Sequence, residues 1–312
     1  MQHPPAIRSG DQLRVIAPSG PVAAERLSRG LAVLRRRFAD AEIVVDHQVY
    51  ERHGYLAGSD AVRLAAFENG LREPCTRLIW CARGGYGATR ILARANPRIL
   101  EHAPKPLVGF SDVTALLCWA YVAAGVPGVH GPVVSQLGSL PPDDLERVEA
   151  LVRGEIAAPL QADEGSVLVG GTVEGPLIVG NLEVLRSLIG TPYMPSLEGC
   201  ILGIEEIGER PYRLDRSLTQ LMHSGALRGL RGVVVGQLTS CEASSTTTGE
   251  DPLRAHAVVE ERLGRLGIPV VTGFPFGHEE GRHAALPFGV RVRLHADDAT
   301  LECLEPVTSP EA

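Results

Sequence analysis

The sequence predicts an α/β protein with a mostly parallel sheet covered by helices on both faces. The main observation is a repeat of short apolar strands, each followed by a loop and then by apolar residues at helical spacing. The chain also contains 35 Gly and 23 Pro, which supply the tight turns that such connections need. Its 312 residues indicate two domains, at roughly 100–200 residues per domain.

The N-terminal half holds four strand-helix units, a further strand and a final helix. Ser59 is expected to cap the second helix, because serine is a favoured N-cap residue. The predicted strands cover residues 13–17, 43–45, 78–82, 107–109 and 128–132. The predicted helices cover residues 23–38, 59–71, 88–94, 113–124 and 141–153. We therefore predict an N-terminal α/β domain over residues 1–155.

The second half changes in texture and is predicted as a smaller α/β domain over residues 171–312. Residues 156–170 are rich in Gly, Ala and acidic residues without a clear period, so we interpret them as a linker. Residues 239–249 are predicted as an exposed polar loop. Strands are predicted at residues 201–205, 233–238, 270–272, 290–294 and 300–303. Helices are predicted near residues 182–188, 214–223 and 253–263.

Composition excludes several classes of function. A net charge of −7 makes nucleic acid a poor partner. The first twelve residues lack an apolar signal segment, and residues 116–126 are far shorter than the about 18–20 apolar residues that span a bilayer. We expect a cytoplasmic protein with no membrane partner. The six cysteines stand singly, without metal-ligand spacing, so we expect buried thiols and no metal or cofactor.

A serine lies where a predicted strand turns into a helix, in residues 107–114 (Leu-Val-Gly-Phe-Ser-Asp-Val-Thr). The hydroxyl of Ser111 would project away from the sheet, beside free helix amides that can stabilise an anion. The second glycine of the usual nucleophile turn is absent, and a serine in this position is more often a helix cap. Taken alone, the segment leaves both interpretations open.

A glycine loop follows another predicted strand, at residues 83–87 (Arg-Gly-Gly-Tyr-Gly). Three glycines in four positions allow left-handed backbone angles and bring backbone N–H groups close to a ligand. The spacing matches neither a Walker A motif nor a Rossmann fingerprint, and a plain tight turn is an equal alternative. Both loops follow the carboxyl ends of strands, the edge where sites form in an α/β sheet.

A hydroxyl nucleophile needs a base and an acid that orients it. Among ten histidines, His278 stands out because it lies in a turn-rich segment after a predicted strand. Glu205 ends the predicted strand 201–205, where a buried carboxylate would need a partner. The neighbouring Glu206 points the other way along a strand and is expected to face solvent.

Five motifs, in their order and spacing, resemble the LD-carboxypeptidases, serine peptidases of the muramoyltetrapeptide carboxypeptidase type. The resemblance covers about residues 13–294, nearly the whole chain. The motifs are residues 83–87, residues 109–112, residues 180–182 with 190–192, residues 205–209 with Arg213, and residues 276–278.

The resemblance implies a catalytic triad in which Ser111 is the nucleophile, His278 the general base and Glu205 the acid that orients it. It also implies an oxyanion hole built from the backbone N–H groups of Asp112 and of the glycine loop. The loop donor would be Gly84 or Gly85.

The family's N-terminal domain has a class I glutamine amidotransferase-like topology. By the resemblance, the nucleophile lies on that domain, the Glu and His lie on the C-terminal domain, and the chain forms a homodimer.

The implied reaction is hydrolysis of the L,D-peptide bond that releases the terminal D-alanine from murein tetrapeptides in peptidoglycan recycling. A carboxypeptidase must bind a free carboxylate, and a guanidinium fork suits this task. Arg83 and Arg213 are the candidates for it, with Tyr86 and Asn181 as further candidates for substrate binding.

Two alternatives stay open. Within the same fold, similar proteins cleave peptidyl-aminoacyl-nucleotide antibiotics and confer microcin immunity, although residues 83–87 look more like the murein-recycling branch. In another class, the chain would be a non-catalytic α/β ligand-binding protein in which Ser111 only caps a helix. A cytoplasmic esterase of the α/β-hydrolase type is a weaker rival, because the Gly-x-Ser-x-Gly motif is missing.

Overall fold

Two β-sheets organise the chain, and helices pack against them. They are seen in a computed structural model that describes residues 2–163, 165–242 and 254–309. Within these ranges the strands are β1 (Gln12–Ile16), β2 (Glu42–Val45), β3 (Thr76–Cys81), β4 (Leu107–Gly109), β5 (Gly128–His130), β6 (Leu160–Gln161), β7 (Val167–Val169), β8 (Thr172–Asn181), β9 (Ile201–Ile207), β10 (Gly232–Thr239), β11 (Val270–Val271), β12 (Leu286–Phe288), β13 (Arg291–His295) and β14 (Thr300–Cys303). The helices are α1 (Ala24–Arg37), α2 (Asp60–Arg72), α3 (Thr89–Leu92), α4 (Arg98–His102), α5 (Thr114–Ala124), α6 (Pro142–Val152), α7 (Leu182–Leu188), α8 (Pro211–His223) and α9 (Ala255–Leu263).

The first sheet has the strand order β12-β5-β4-β3-β1-β2, and its strands from β5 to β2 run parallel. The predicted parallel α/β fold is thus confirmed. Ser59 caps α2 as predicted, accepting a hydrogen bond from the amide of Val62. The adjacent strands β3 and β4 end at the same edge, so the glycine loop that follows β3 lies beside the turn that follows β4.

The second sheet has the order β6-β14-β13-β8-β9-β10-β11-β7, with the four strands β8 to β11 parallel at its centre. Strand β8 was not predicted, because Gly175, Pro176 and Gly180 interrupt its apolar pattern. Strands β6 and β7 lie within residues 156–170 and pair with β14 and β11. The segment predicted as a linker therefore contributes to this sheet, while the division of the chain into domains stays a prediction.

Strand β12 connects the two halves of the chain. It follows β11 of the second sheet, yet it pairs antiparallel with β5 at the edge of the first sheet, where Leu286 faces His130. Residues 272–285 consequently cross from one sheet to the other. The sequence did not predict β12, because a three-residue strand containing Pro287 shows no alternation and its partner belongs to the other half of the chain.

Other expectations have mixed outcomes. Residues 243–249 of the predicted polar loop lie outside the described residues, and Thr239 at its start belongs to β10. All cysteines are unpaired and all but Cys75 are buried, so the expectation of buried thiols is wrong only for Cys75, which is exposed. No helix among the described residues has both the length and the apolar character needed to cross a bilayer.

Candidate active site

Ser111 lies immediately beyond β4 in an uncommon backbone conformation. Its φ of 61° is in the left-handed region, which costs a non-glycine residue about 1–2 kcal/mol. Neither the 3₁₀ turn Ser111–Val113 nor α5 has a side-chain cap hydrogen bond at its start, so the helix-cap interpretation finds no support. Ser111 instead lines a cavity of about 700 Å³, at which the strained turn presents the hydroxyl.

The glycine loop approaches this serine closely. A Cβ atom added to Gly84 would lie 2.8 Å from the Cβ of Ser111 and 3.0 Å from its Oγ, so no side chain fits there. Gly85 has a φ of 115°, and the carbonyl of Gly84 accepts a hydrogen bond of 3.0 Å from the amide of Gly20. Glycine is therefore required at residue 84 by space and at residue 85 by backbone angle.

Asp112 ties the serine turn to the glycine loop. Its side chain is buried, and its Oδ2 accepts a hydrogen bond of 2.7 Å from the amide of Ala88. Burial raises the pKa of Asp112, while backbone hydrogen bonds from Ala88 and Gly87 act in the opposite direction. The sequence analysis assigned only the backbone N–H of Asp112, whereas its carboxylate also fixes the far end of the glycine loop.

Arg63 holds the glycine loop from the other side, and the sequence analysis missed it. This fully buried side chain of α2 donates a 2.8 Å hydrogen bond to the carbonyl of Gly87, and it also bonds the carbonyl of Pro18 and the carboxylate of Asp60. A signal was present, since an arginine stood among the apolar positions of the predicted helix 59–71.

Glu205 and His278 meet behind the cavity. The Nδ1 of His278 lies 2.6 Å from Oε2 of Glu205, whose side chain is completely buried on β9. The imidazole also packs on the ring of Phe110 at 4.6 Å between centroids, and it lines the same cavity as Ser111. The structure thus brings the three predicted catalytic residues together from two sheets; their catalytic roles stay a prediction.

Glu206 is not solvent-facing, so that expectation is wrong. Its carboxylate is buried and accepts hydrogen bonds of 2.8–2.9 Å from the side-chain amide of Asn181 and from the backbone amides of Glu183 and Ile207. Burial raises the pKa of Glu206 to about 7. Alternation along the strand fails here because β9 is central in its sheet and both of its faces are covered.

Of the four candidates for substrate binding, one lies at the cavity and three lie elsewhere. Arg83 lines the cavity and donates from Nη1 to the carbonyl of Pro21 at 2.7 Å. Asn181 caps α7 and binds Glu206, so its polar atoms are engaged away from the cavity. Tyr86 packs on another exposed tyrosine, and Arg213 pairs with Glu209 at 2.6 Å.

Two cavity-lining arginines were missed, Arg26 and Arg29 of α1. Arg26 pairs with Glu280 across the cavity at 3.0 Å. The fold alone brings them there, since α1 precedes the glycine loop by about 50 residues. Among the described residues, no group of three or more His, Cys, Asp or Glu side chains is arranged to hold a metal ion.

Comparisons with known proteins identify one family. Residues 13–131 match the family model of the LD-carboxypeptidase N-terminal domain, and residues 174–294 match that of the LD-carboxypeptidase C-terminal domain. The murein tetrapeptide carboxypeptidase of Pseudomonas aeruginosa is 32% identical over 291 residues, which cover 89% of this chain and 91% of that protein.

Solved structures show the same architecture. The muramoyltetrapeptide carboxypeptidase of Oxalobacter formigenes superimposes with a TM-score of 0.81 at 30% identity, covering 93% of this chain and 97% of that chain. The microcin C7 self-immunity protein MccF superimposes with a TM-score of 0.87 at 22% identity, covering 99% of this chain and 100% of that chain. The second likeness is one of fold.

Proposed function

Because the chain belongs to the LD-carboxypeptidase family, we propose that it hydrolyses the L,D-peptide bond of murein tetrapeptides and releases the terminal D-alanine in peptidoglycan recycling. The observation that carries the proposal is the 2.6 Å contact between His278 and Glu205, at a cavity that His278 shares with the strained Ser111. The names of the Pseudomonas and Oxalobacter relatives support the substrate class.

The triad divides the reaction into acylation and deacylation, each with two proton transfers. Since Nδ1 of His278 contacts Glu205, its Nε2 is the nitrogen that takes the proton as Ser111 Oγ attacks the scissile carbonyl. The same proton then passes to the departing amine of D-alanine, which leaves an acyl-enzyme. His278 next takes a proton from water, the resulting hydroxide attacks the ester, and Ser111 recovers its proton.

The oxyanion would be stabilised by backbone N–H groups that the fold holds in place. Asp112 and Gly84 flank the nucleophile, and the carboxylate of Asp112 together with Arg63 fixes the loop that carries Gly84. Donors held in this way need no rearrangement as negative charge develops, which is the main source of their catalytic effect.

Gly84→Ala is expected to lower kcat by about 10²–10³-fold, because the new methyl group would displace the loop donor from Ser111. The measurement is the rate of D-alanine release from the tetrapeptide, detected by mass spectrometry. Gly264→Ala is the matched control, since a Cβ there meets open space, and it should retain wild-type kcat. Equal kcat for the two variants would exclude Gly84 from the oxyanion hole.

The terminal carboxylate of the substrate is assigned to Arg83, the one sequence-predicted arginine that lines the cavity. Arg83→Gln is expected to raise KM and lower kcat/KM by about 10–100-fold, as loss of a charge-assisted hydrogen bond does. Wild type should prefer a free C-terminal carboxylate to a C-terminal amide, and the variant should lose most of this preference.

Arg213→Gln is the control for Arg83→Gln, because Arg213 pairs with Glu209 outside the cavity. It should discriminate carboxylate from amide as wild type does. If Arg83→Gln keeps the full preference, the carboxylate is bound by another group, and Arg26 and Arg29 are the next arginines to replace.

The microcin-immunity alternative is less favoured by the cavity. The base of a nucleotide substrate would bind more tightly if it could stack on an exposed aromatic ring. Phe110 is the only aromatic residue besides His278 that lines the described cavity, and its ring is covered by His278. Both tryptophans, Trp80 and Trp119, are buried. Incubation with a murein tetrapeptide and, in parallel, with a peptidyl-aminoacyl adenylate separates the two activities. The absence of D-alanine release from the tetrapeptide would contradict the proposal.

We further propose a cytoplasmic location, as the sequence led us to expect, and a homodimer, which rests on the family resemblance. The net charge of −7 supports the absence of a nucleic-acid partner. Gel filtration at low protein concentration tests the dimer.

A further inference from the structure

Two histidines without an assigned role lie buried behind the candidate dyad. His130 ends β5 and His283 lies between β11 and β12, and neither is exposed to solvent. Burial lowers the pKa of His130 to about 4 and that of His283 well below its ordinary value, so both imidazoles are neutral near pH 7. A neutral imidazole still carries one N–H donor. None of the four ring nitrogens has a hydrogen-bond partner among the described residues.

Both histidines pack against Phe110, the residue that precedes the nucleophile. The centroid of its ring lies 4.4 Å from that of His283, 5.9 Å from that of His130 and 4.6 Å from that of His278. The rings of His130 and His283 stack at 5.6 Å. This histidine pair therefore belongs to the same packed unit as the catalytic groups.

Glu205 presents an unpaired atom in this region. Its Oε2 contacts His278, whereas its buried Oε1 has no hydrogen-bond partner among the described residues. Buried carboxylate oxygens are rarely left without a donor, because the loss of hydration is then uncompensated. The negative charge of Glu205 partly offsets the effect of burial on the pKa of His130, whereas His130 and His278 lower the pKa of His283 further. His130 and the oxygen Oε1 of Glu205 are therefore a buried donor and a buried acceptor of the same packed unit, with no direct hydrogen bond between them.

We propose that His130 is a positioning residue for Glu205, donating its ring N–H to Oε1 through one bridging water. This inference rests on the proposed function of Glu205 and His278. The bridged hydrogen bond keeps the carboxylate turned toward His278. It also draws charge toward Oε1, which limits the attraction of Glu205 for a proton on His278.

Loss of the N–H donor of His130 has a predictable effect on the pH dependence of kcat/KM. Without it, Glu205 favours the protonated form of His278 more strongly, and a protonated imidazole cannot act as base. The acid limb of kcat/KM should therefore move to higher pH. The titratable groups that face His130 are Glu205 from β9 and His278 and His283 from residues 272–285, while Phe110 and Phe276 add only apolar contacts.

The test compares two substitutions of similar shape, His130→Gln, which keeps an N–H donor, and His130→Met, which does not. We expect His130→Met to lower kcat about 10–100-fold with little change in KM and to move the acid limb upward, whereas His130→Gln stays near wild type. His283→Met is the matched control and should leave the acid limb in place. Circular dichroism verifies the fold of each variant.

The rate of labelling of Ser111 by a fluorophosphonate, measured over the same pH range, reports on the triad without any peptide substrate. A wild type that is labelled but releases no D-alanine refutes the proposed function and leaves the His130 comparison decidable by labelling. An acid limb that is identical in wild type and His130→Met, or one that His283→Met moves equally, overturns the positioning role. If His130→Met fails to fold, His130→Gln is compared with His130→Leu, which also lacks a donor.

Discussion

Ser111→Ala is expected to abolish D-alanine release, with kcat reduced by about 10⁴–10⁶-fold. The variant keeps the cavity, the His278–Glu205 contact and the glycine loop, but it has no atom that can attack the carbonyl. The activity that remains would come from binding and from the oxyanion donors alone. The measurement is D-alanine release from the tetrapeptide, together with substrate affinity by calorimetry, which should stay close to that of wild type.

Ser111→Gly is a second, more discriminating variant. Since Ser111 has a φ of 61°, glycine should relieve the strain of the turn and raise the melting temperature, while the enzyme stays as inactive as Ser111→Ala. A more stable and inactive variant would indicate that the serine is kept for chemistry at a cost in stability. Substantial activity in either variant would refute the triad.

The position of Ser111 beside the glycine loop could be predicted because it depends on a local rule. Adjacent parallel strands end at one edge of a sheet, so the loops after β3 and β4 had to meet once both strands were recognised. His278 and Glu205 were singled out by local features, but only the family resemblance joined them to Ser111, since no local pattern places a loop from one sheet beside a strand of the other. Arg26 and Arg29 were missed for the same reason.

The wrong expectation for Glu206 and the placement of Asn181 away from the cavity share one physical cause. Alternation predicts which side of a strand a residue faces but not whether that side is covered, and α7 begins directly over β9. The backbone amide of Glu183 at the start of α7 and the side chain of the cap residue Asn181 supply donors that make a buried carboxylate at residue 206 tolerable. Glu206 can thus be buried because the start of α7 provides hydrogen-bond donors next to it.

The segment that carries His278 is held from the N-terminal half. Asp144 of α6 accepts hydrogen bonds from Arg282 at 2.6 Å and from the amide of His283 at 2.7 Å. Arg147 of the same helix donates to the carbonyl of Ala285 at 2.7 Å. With β12 paired to β5, these contacts fix His278 relative to Ser111 although the two belong to distant parts of the chain.

Glu205→Gln is expected to lower kcat by about 10⁴-fold, the second large loss. An amide cannot stabilise the imidazolium that forms when His278 takes the proton of Ser111. If its NH₂ group turns toward Nδ1, it also fixes the imidazole proton on Nε2, where no proton can be accepted. The measurement is kcat for D-alanine release near neutral pH, with the melting temperature recorded for the same sample.

Glu206→Gln is the control, because it is the adjacent residue on β9 and is also buried. Its carboxylate accepts three hydrogen bonds, and a glutamine would place an NH₂ group against at least one of these donors, so stability should fall by about 1–3 kcal/mol. Below its melting temperature this variant should retain kcat within about threefold of wild type, because Glu206 does not contact His278. Similar kcat losses in the two variants would mean that Glu205 acts on stability rather than on the imidazole.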